Sequence, residues 1–180
     1  TIVISPLIAL MQDQVDALRK KNVPAAFINS TLSKQERGKR LEDFLNGNIK
    51  ILYVTPERYR KKDFIEKIKT VKIDLLAVDE AHCISEWGHD FRPDYSRIGE
   101  FREILGNPLT IALTATATKD VQEDILVKLN LNKDEVKIFH QGIDRPNLRL
   151  EAADVFDDKE KLKEILAALK KYNGSGIIYF

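Results

Sequence analysis

Apolar positions in this chain fall into short runs separated by stretches with helical spacing. Ile2–Ile4 reads as a buried strand, and Leu7, Met11, Val15 and Leu18 behind it share one helical face. Ala25–Ile28 predicts a second strand. Ser33 with Glu36 three residues on makes a capping box before Leu41, Phe44 and Leu45. Ile49–Val54 predicts a third strand, and a basic helical stretch follows. Ile73–Val78 is nearly continuous in apolar residues, as expected of a strand covered on both faces. Ile98–Leu105 reads as helix and Leu109–Leu113 as extended chain. Thr118 caps a helix reaching to about Leu129. Val136–Phe139 is a short strand candidate.

This βαβα rhythm predicts an α/β fold, a mostly parallel sheet with helices on both faces and right-handed crossovers. The turn formers Gly142, Pro146 and Asn147 place a boundary over residues 143–148. Residues 1–142 then form one domain, and 149–180 open a second α/β domain. The second begins with an extended segment, Leu148–Ala153. A helix starting at Asp157 or Asp158 carries the stripe Leu162, Ile165, Leu166 and Leu169, with Lys170 and Lys171 suited to its C-terminal dipole. A last strand ends at Phe180. Thr1 and Phe180 each lie inside an apolar strand pattern and no initiator Met is present, so the reading is an excerpt of a longer protein.

Composition adds exclusions. Of 180 residues, 43% are hydrophobic and 32% charged, consistent with a globular chain holding a sizeable core. The 29 basic and 28 acidic residues leave +1, so any nucleic-acid footprint must be local. No apolar run approaches a membrane span. Cys83, the only cysteine, excludes an internal disulfide and a cysteine-based zinc site in this stretch, so zinc is expected only outside this chain; Cys83 reads as core packing, and a reducing, intracellular setting (cytoplasm or nucleoid, or nucleus) is expected.

The strongest chemical signal is Asp79-Glu80-Ala81-His82, directly after the strand 73–78. Ligands of open α/β sheets sit at the carboxyl ends of strands. Two adjacent acids there cost desolvation unless they have a task. In phosphoryl transfer one carboxylate holds Mg²⁺ and another group positions the attacking water. Asp79 suits the first role and Glu80 the second, while His82 can couple the site to a neighbouring element. An acidic helix start is the plainer alternative. Leu113–Thr118 follows another strand, and the hydroxyls of Thr114 and Thr116 can reach the acidic pair.

The segment Cys83–Tyr95 holds Trp87, His89, Phe91 and Arg92 among the helix breakers Gly88 and Pro93. Such side chains can stack on unpaired bases; buried aromatics pinning a loop would give the same composition. Ser5-Pro6-Leu7 and Thr55-Pro56-Glu57-Arg58 each follow a strand. They read as hydroxyl caps with Pro at the first helical position, and equally as helix starts holding a nucleic-acid backbone. Arg58–Lys72 and Lys34–Arg40 are basic, either as solvated faces or as phosphate contacts.

Taken in order, these segments resemble the RecQ family of DEAH-type helicases. The matching pieces are Ser5–Met11 with Asp13-Gln14-Val15, Thr55–Arg58, Asp79–His82, the aromatic segment Cys83–Pro93, Leu113–Ala117, Asp144–Leu148 and Gly176–Phe180. The resemblance implies two RecA-like domains of P-loop NTPase type, the first partial and the second truncated. It implies ATP and Mg²⁺ as cofactors, with Asp79 on the metal and Glu80 activating water. His82, Trp87, His89, Phe91 and Arg92 would couple single-stranded DNA to hydrolysis, Thr114 and Thr116 would link motifs, and Ser5, Pro6, Thr55 and Arg58 would line the DNA track. Single-stranded and partly duplex DNA would be the partners, and 3′→5′ unwinding in repair and recombination the activity. The family's Gly-Lys-Ser/Thr loop, arginine finger, zinc-binding and winged-helix regions have no counterpart here, so the 180-residue chain alone is expected not to hydrolyse ATP. Two alternatives stay open: a non-catalytic nucleic-acid-binding module on a degenerate helicase core, and an RNA helicase of the same superfamily.

Overall fold

The computed structural model describes residues 1–88, 90–139, 146–172 and 174–179. The chain divides into two compact units, Thr1–Lys137 and Ile138–Phe180. Of the expected junction over 143–148, residues 143–145 lie outside the described residues.

Five strands build the first unit: β1 (Ile2–Ile4), β2 (Ala25–Ile28), β3 (Ile51–Val54), β4 (Leu75–Val78) and β5 (Leu109–Ala112). All pair in parallel, in the order β2-β3-β1-β4-β5. Helices α1 (Ile8–Lys20), α2 (Lys34–Leu45), α3 (Lys62–Ile68), α4 (Ile98–Ile104) and α5 (Lys119–Lys128) surround the sheet. Strand side chains alternate between two cores. Ile2, Ile4, Ala26, Ile28, Leu52, Val54, Leu76 and Val78 meet residues of α2, α3, α4 and α5. Phe27, Tyr53 and Val3 meet Met11 and Val15 of α1 on the other face.

One handedness explains that division. After β1 the chain steps outward to β2, then returns in steps toward β3, β4 and β5. With right-handed crossovers, the helix of the outward step must lie on the face opposite the helices of the return steps. That places α1 alone against its core, and its two fully buried side chains, Met11 and Val15, contribute roughly 2 kcal/mol each by removal from water. The reversal of direction falls between β1 and β4, the topological switch where open sheets bind ligands.

Several local expectations hold in detail. Ser33 and Glu36 form the reciprocal capping box of α2, and the Thr118 side chain accepts from the Val121 amide to start α5. Others fail for identifiable reasons. Ser5 does not cap α1: the helix starts after Leu7, and the Ser5 hydroxyl is drawn to Asp79 instead. Pro56 does take a first-turn position, but in a 3-10 turn, Pro56–Arg60, without a side-chain cap. Val136–Phe139 forms no strand and follows the short turn Lys133–Glu135.

Among the described residues of the second unit the regular element is α6 (Asp158–Lys171), whose N-cap Asp157 accepts from the Glu160 amide. Leu148–Ala153 and residues 176–179 are not strands. An isolated extended segment gains nothing without a partner. The expected stripe Leu162, Leu166 and Leu169 is half exposed on α6.

Candidate nucleotide and nucleic-acid site

Four strand ends bring the chemistry together on the carboxyl edge of the sheet. Ser5 follows β1, Thr55 follows β3, Asp79 follows β4, and Leu113-Thr114 follows β5. Backbone bonds continue the ladder past the strands: the Asp79 amide donates to the Ile4 carbonyl at 2.8 Å, and the Leu113 amide to the Val78 carbonyl at 2.8 Å. The acids therefore project from a rigid scaffold.

Asp79 is oriented through each carboxylate oxygen. Oδ2 accepts from the Ser5 hydroxyl at 3.0 Å, and Oδ1 from the Glu80 amide at 3.0 Å. An ionised carboxylate offers about four lone-pair positions, so two remain for a hard cation. Glu80 stands in the left-handed region, φ 49° and ψ 47°, which is costly for a residue with a Cβ. That turn swings its side chain toward His82, whose Nδ1 lies 3.3 Å from Glu80 Oε2 and 3.0 Å from Thr114 Oγ1. Thr114 Oγ1 itself donates to the Thr116 carbonyl at 3.1 Å. The tautomer that satisfies both neighbours carries its proton on Nδ1. A cavity of about 300 Å³ opens here, lined by Pro6, Leu7, Glu80, His82, Asp90, Ala115 and Thr116. Asp79, Glu80, His82, Thr114 and Thr116, singled out from sequence, thus form one connected cluster.

The aromatic segment is fastened at both ends and open in the middle. At its start, a 3-10 turn Ala81–Ile84 is wholly buried, and buried Ser85 donates to Asp124 Oδ2 of α5 at 2.7 Å. At its end, Tyr95 is fully buried and its hydroxyl donates to the Asp79 carbonyl at 3.0 Å. The hydroxyl of Tyr59, stacked on Phe101 at 5.0 Å, donates to the Asp94 carbonyl, and Arg60 pairs with the Asp94 carboxylate. Between these anchors Trp87 is 82% exposed and Phe91 37%. Tyr95 thus pins the loop, as buried aromatics would, while Trp87 faces solvent. Arg92 donates twice to Asp90 Oδ2, at 3.2 and 2.9 Å, and reaches the Pro6 carbonyl at 3.4 Å. His89 lies outside the described residues.

The remaining candidates sort by exposure. Ser5 and Thr55 are buried, and the Thr55 hydroxyl donates to Glu57 at 2.5 Å. Pro6 lines the cavity. Arg58 keeps a buried Nε without a hydrogen-bond partner. Burial, then the charge of Arg37, lowers its pKa, so an anion arriving between the two would be welcomed. Within the basic stretch 34–40, Arg37 and Arg40 donate to the Leu32 and Phe27 carbonyls, and Arg40 lies 4.4 Å from the Phe27 ring centre. Those two charges serve the fold.

Sequence reading missed Ser85, Tyr95 and Asp124 as site residues. Ser85 and Tyr95 stood inside or beside the aromatic segment, but a serine and a tyrosine carry no signal of their partners. Asp124 sits on a helix with nothing local to distinguish it.

Residues 1–124 match the DEAD/DEAH box helicase family. The chain is similar to the "Probable ATP-dependent DNA helicase RecS" of Bacillus subtilis, 42% identical over 180 residues, covering 99% of this chain and 35% of that protein. It is also similar to "ATP-dependent DNA helicase RecQ" of Bacillus subtilis, 50% identical over 149 residues, covering 82% and 25%. The chain thus spans about a third or less of these relatives' lengths. In fold it is similar to the Pyrococcus furiosus Hef helicase domain, with a TM-score of 0.54 at 18% identity, over 73% of this chain and 27% of that one.

Proposed function

The chain belongs to the DEAD/DEAH box helicase family, and from that premise we propose that it carries the water-activating and strand-contacting residues of a RecQ-type ATP-dependent DNA helicase, which moves 3′→5′ in repair and recombination. The observation that carries this is the physical link between the acids and the exposed aromatic loop, made by the Tyr95 hydroxyl on the Asp79 carbonyl. Its relatives are named ATP-dependent DNA helicases.

Mg²⁺ carried with ATP fits the oriented carboxylate of Asp79. Asp79 would hold the cation, while Ser5 keeps the carboxylate from rotating. The cation would neutralise charge on the transferring phosphoryl group. Glu80, beside the cavity, takes the proton of the attacking water. His82, bridged between Glu80 and Thr114, passes the position of the β5 end to that base. A DNA strand stacks on Trp87 and Phe91 and rests its phosphates near Arg58 and the Pro6 turn. Loop movement then reaches Asp79 through Tyr95. Residues 149–180 supply the opening of the second RecA-like domain. Partly duplex DNA is the substrate, inside the cell; among the described residues no helix is long and apolar enough to cross a membrane.

In the full-length protein, Glu80→Gln should abolish DNA-stimulated ATP hydrolysis while nucleotide still binds; undiminished turnover would refute the role of Glu80. Trp87→Ala should leave basal hydrolysis in place and remove its stimulation by single-stranded DNA. Equal stimulation by RNA in the parent would favour an RNA-directed enzyme instead.

A further inference from the structure

Three different Lewis-basic atoms converge behind the cavity. Cys83 Sγ lies 3.7 Å from His82 Nε2 and 3.7 Å from Asp90 Oδ2. All three ligand atoms fall within 4.8 Å of one another, the one His/Cys/Asp/Glu group of this kind among the described residues. Around a tetrahedral zinc ion with bonds of about 2.0–2.3 Å, neighbouring ligand atoms stand roughly 3.5 Å apart. The two sulfur distances need adjustments of only a few tenths of an ångström, and the His82–Asp90 separation, within 4.8 Å, would close by rotation of the half-exposed Asp90 side chain. The imidazole is also presented in the usual manner of a metal ligand. Its Nδ1 is directed at Glu80 Oε2 and Thr114 Oγ1, which turns the lone pair of Nε2 toward the sulfur. Asp90 is fixed in turn by Arg92. His82 and Asp90 border the cavity, which gives an ion its way in and a water for the fourth position.

We propose that His82 Nε2, Cys83 Sγ and an Asp90 carboxylate oxygen form a site for a soft divalent cation such as zinc, separate from the hard-cation position at Asp79. Binding replaces the thiol proton, which leaves to solvent, with a sulfur–metal bond; no electron transfer is involved. Thiolate and carboxylate together cancel the ion's charge, and Arg92 keeps its bonds to Asp90. A mixed donor set removes the need for further cysteines. Occupancy would tie the strand-contacting loop to His82 at a fixed distance and hold the loop still. The site rests on this geometry alone; only that last consequence rests on the helicase reading.

The test is spectroscopic and uses neither ATP nor DNA, so its result is independent of the Glu80→Gln assay. Co²⁺ is titrated into the 180-residue chain. Because Cys83 is the single cysteine, a thiolate-to-cobalt charge-transfer band can arise only there. The expected result is a band saturating at one equivalent, displaced by Zn²⁺ but not by excess Mg²⁺, and absent in Cys83→Ser. Asp90→Asn, at a half-exposed position where folding should survive (checked by circular dichroism), should weaken Co²⁺ affinity by roughly tenfold or more. No band, displacement by Mg²⁺, or unchanged affinity in Asp90→Asn would overturn the proposal.

Discussion

Ser85 offers a measurable test of how the aromatic loop is held. Its side chain is fully buried, donates to Asp124 Oδ2 at 2.7 Å and accepts from the Trp87 amide at 3.2 Å. Ser85→Ala deletes a hydrogen bond to a charged group, worth about 1.5–3 kcal/mol. Asp124 is only partly buried and can recover water, which favours the lower end. The loss of the Trp87 amide's acceptor adds to it. The expected destabilisation is about 2 kcal/mol, or a fall in Tm of roughly 5–8 °C for a unit of this size. Urea unfolding followed by circular dichroism measures it. In a double-mutant cycle with Asp124→Ala the coupling should be about 1–2 kcal/mol. A destabilisation below about 0.5 kcal/mol with additive single effects would show that the loop is not anchored through α5.

Further expectations concern packing and pH. A Cβ at Gly99 of α4 would meet the Lys128 carbonyl oxygen at 2.4 Å, whereas at Gly38 of α2 it meets nothing within 4 Å. Gly99→Ala should therefore destabilise by about 1–3 kcal/mol, and Gly38→Ala should stabilise by about 0.5–1 kcal/mol; chemical denaturation resolves the two signs. Burial, reinforced by Asp90, pushes the Cys83 thiol up to about 11 from an ordinary 9. The native state holds that proton more tightly, so the contribution is complete below pH 9 and is lost as pH rises through 11. Roughly 2–3 kcal/mol of alkaline destabilisation should thus be missing from Cys83→Ala, read as the difference between the two stability–pH curves.

The parallel sheet and the acidic edge were legible in the sequence for the same reason. Buried strands between covering helices write continuous apolar runs, as in Ala25–Ile28, and residues directly after such runs sit on the ligand-binding edge. The capping box at Ser33 and the cap at Thr118 were legible because each is a contact within one turn. What could not be read were partners distant in sequence. Ser5 resembles a cap until Asp79, 74 residues on, claims its hydroxyl. Tyr95 and Trp87 are both aromatic, and only tertiary structure separates the buried anchor from the solvent-facing platform. The apolar runs expected as strands at Val136–Phe139 and in the second unit join no ladder among the described residues, and pairing is a property of two segments, not of one.

The left-handed backbone at Glu80 bears on how this protein can drift over generations. A side chain there costs of the order of 1–2 kcal/mol relative to glycine. Replacement by glycine would relax the turn while removing the carboxylate proposed to accept the proton, giving a molecule that folds at least as well but, on that proposal, has lost its chemistry. Selection for abundance and selection for turnover therefore pull this one codon in opposite directions, and glutamate persists only while catalysis is being tested.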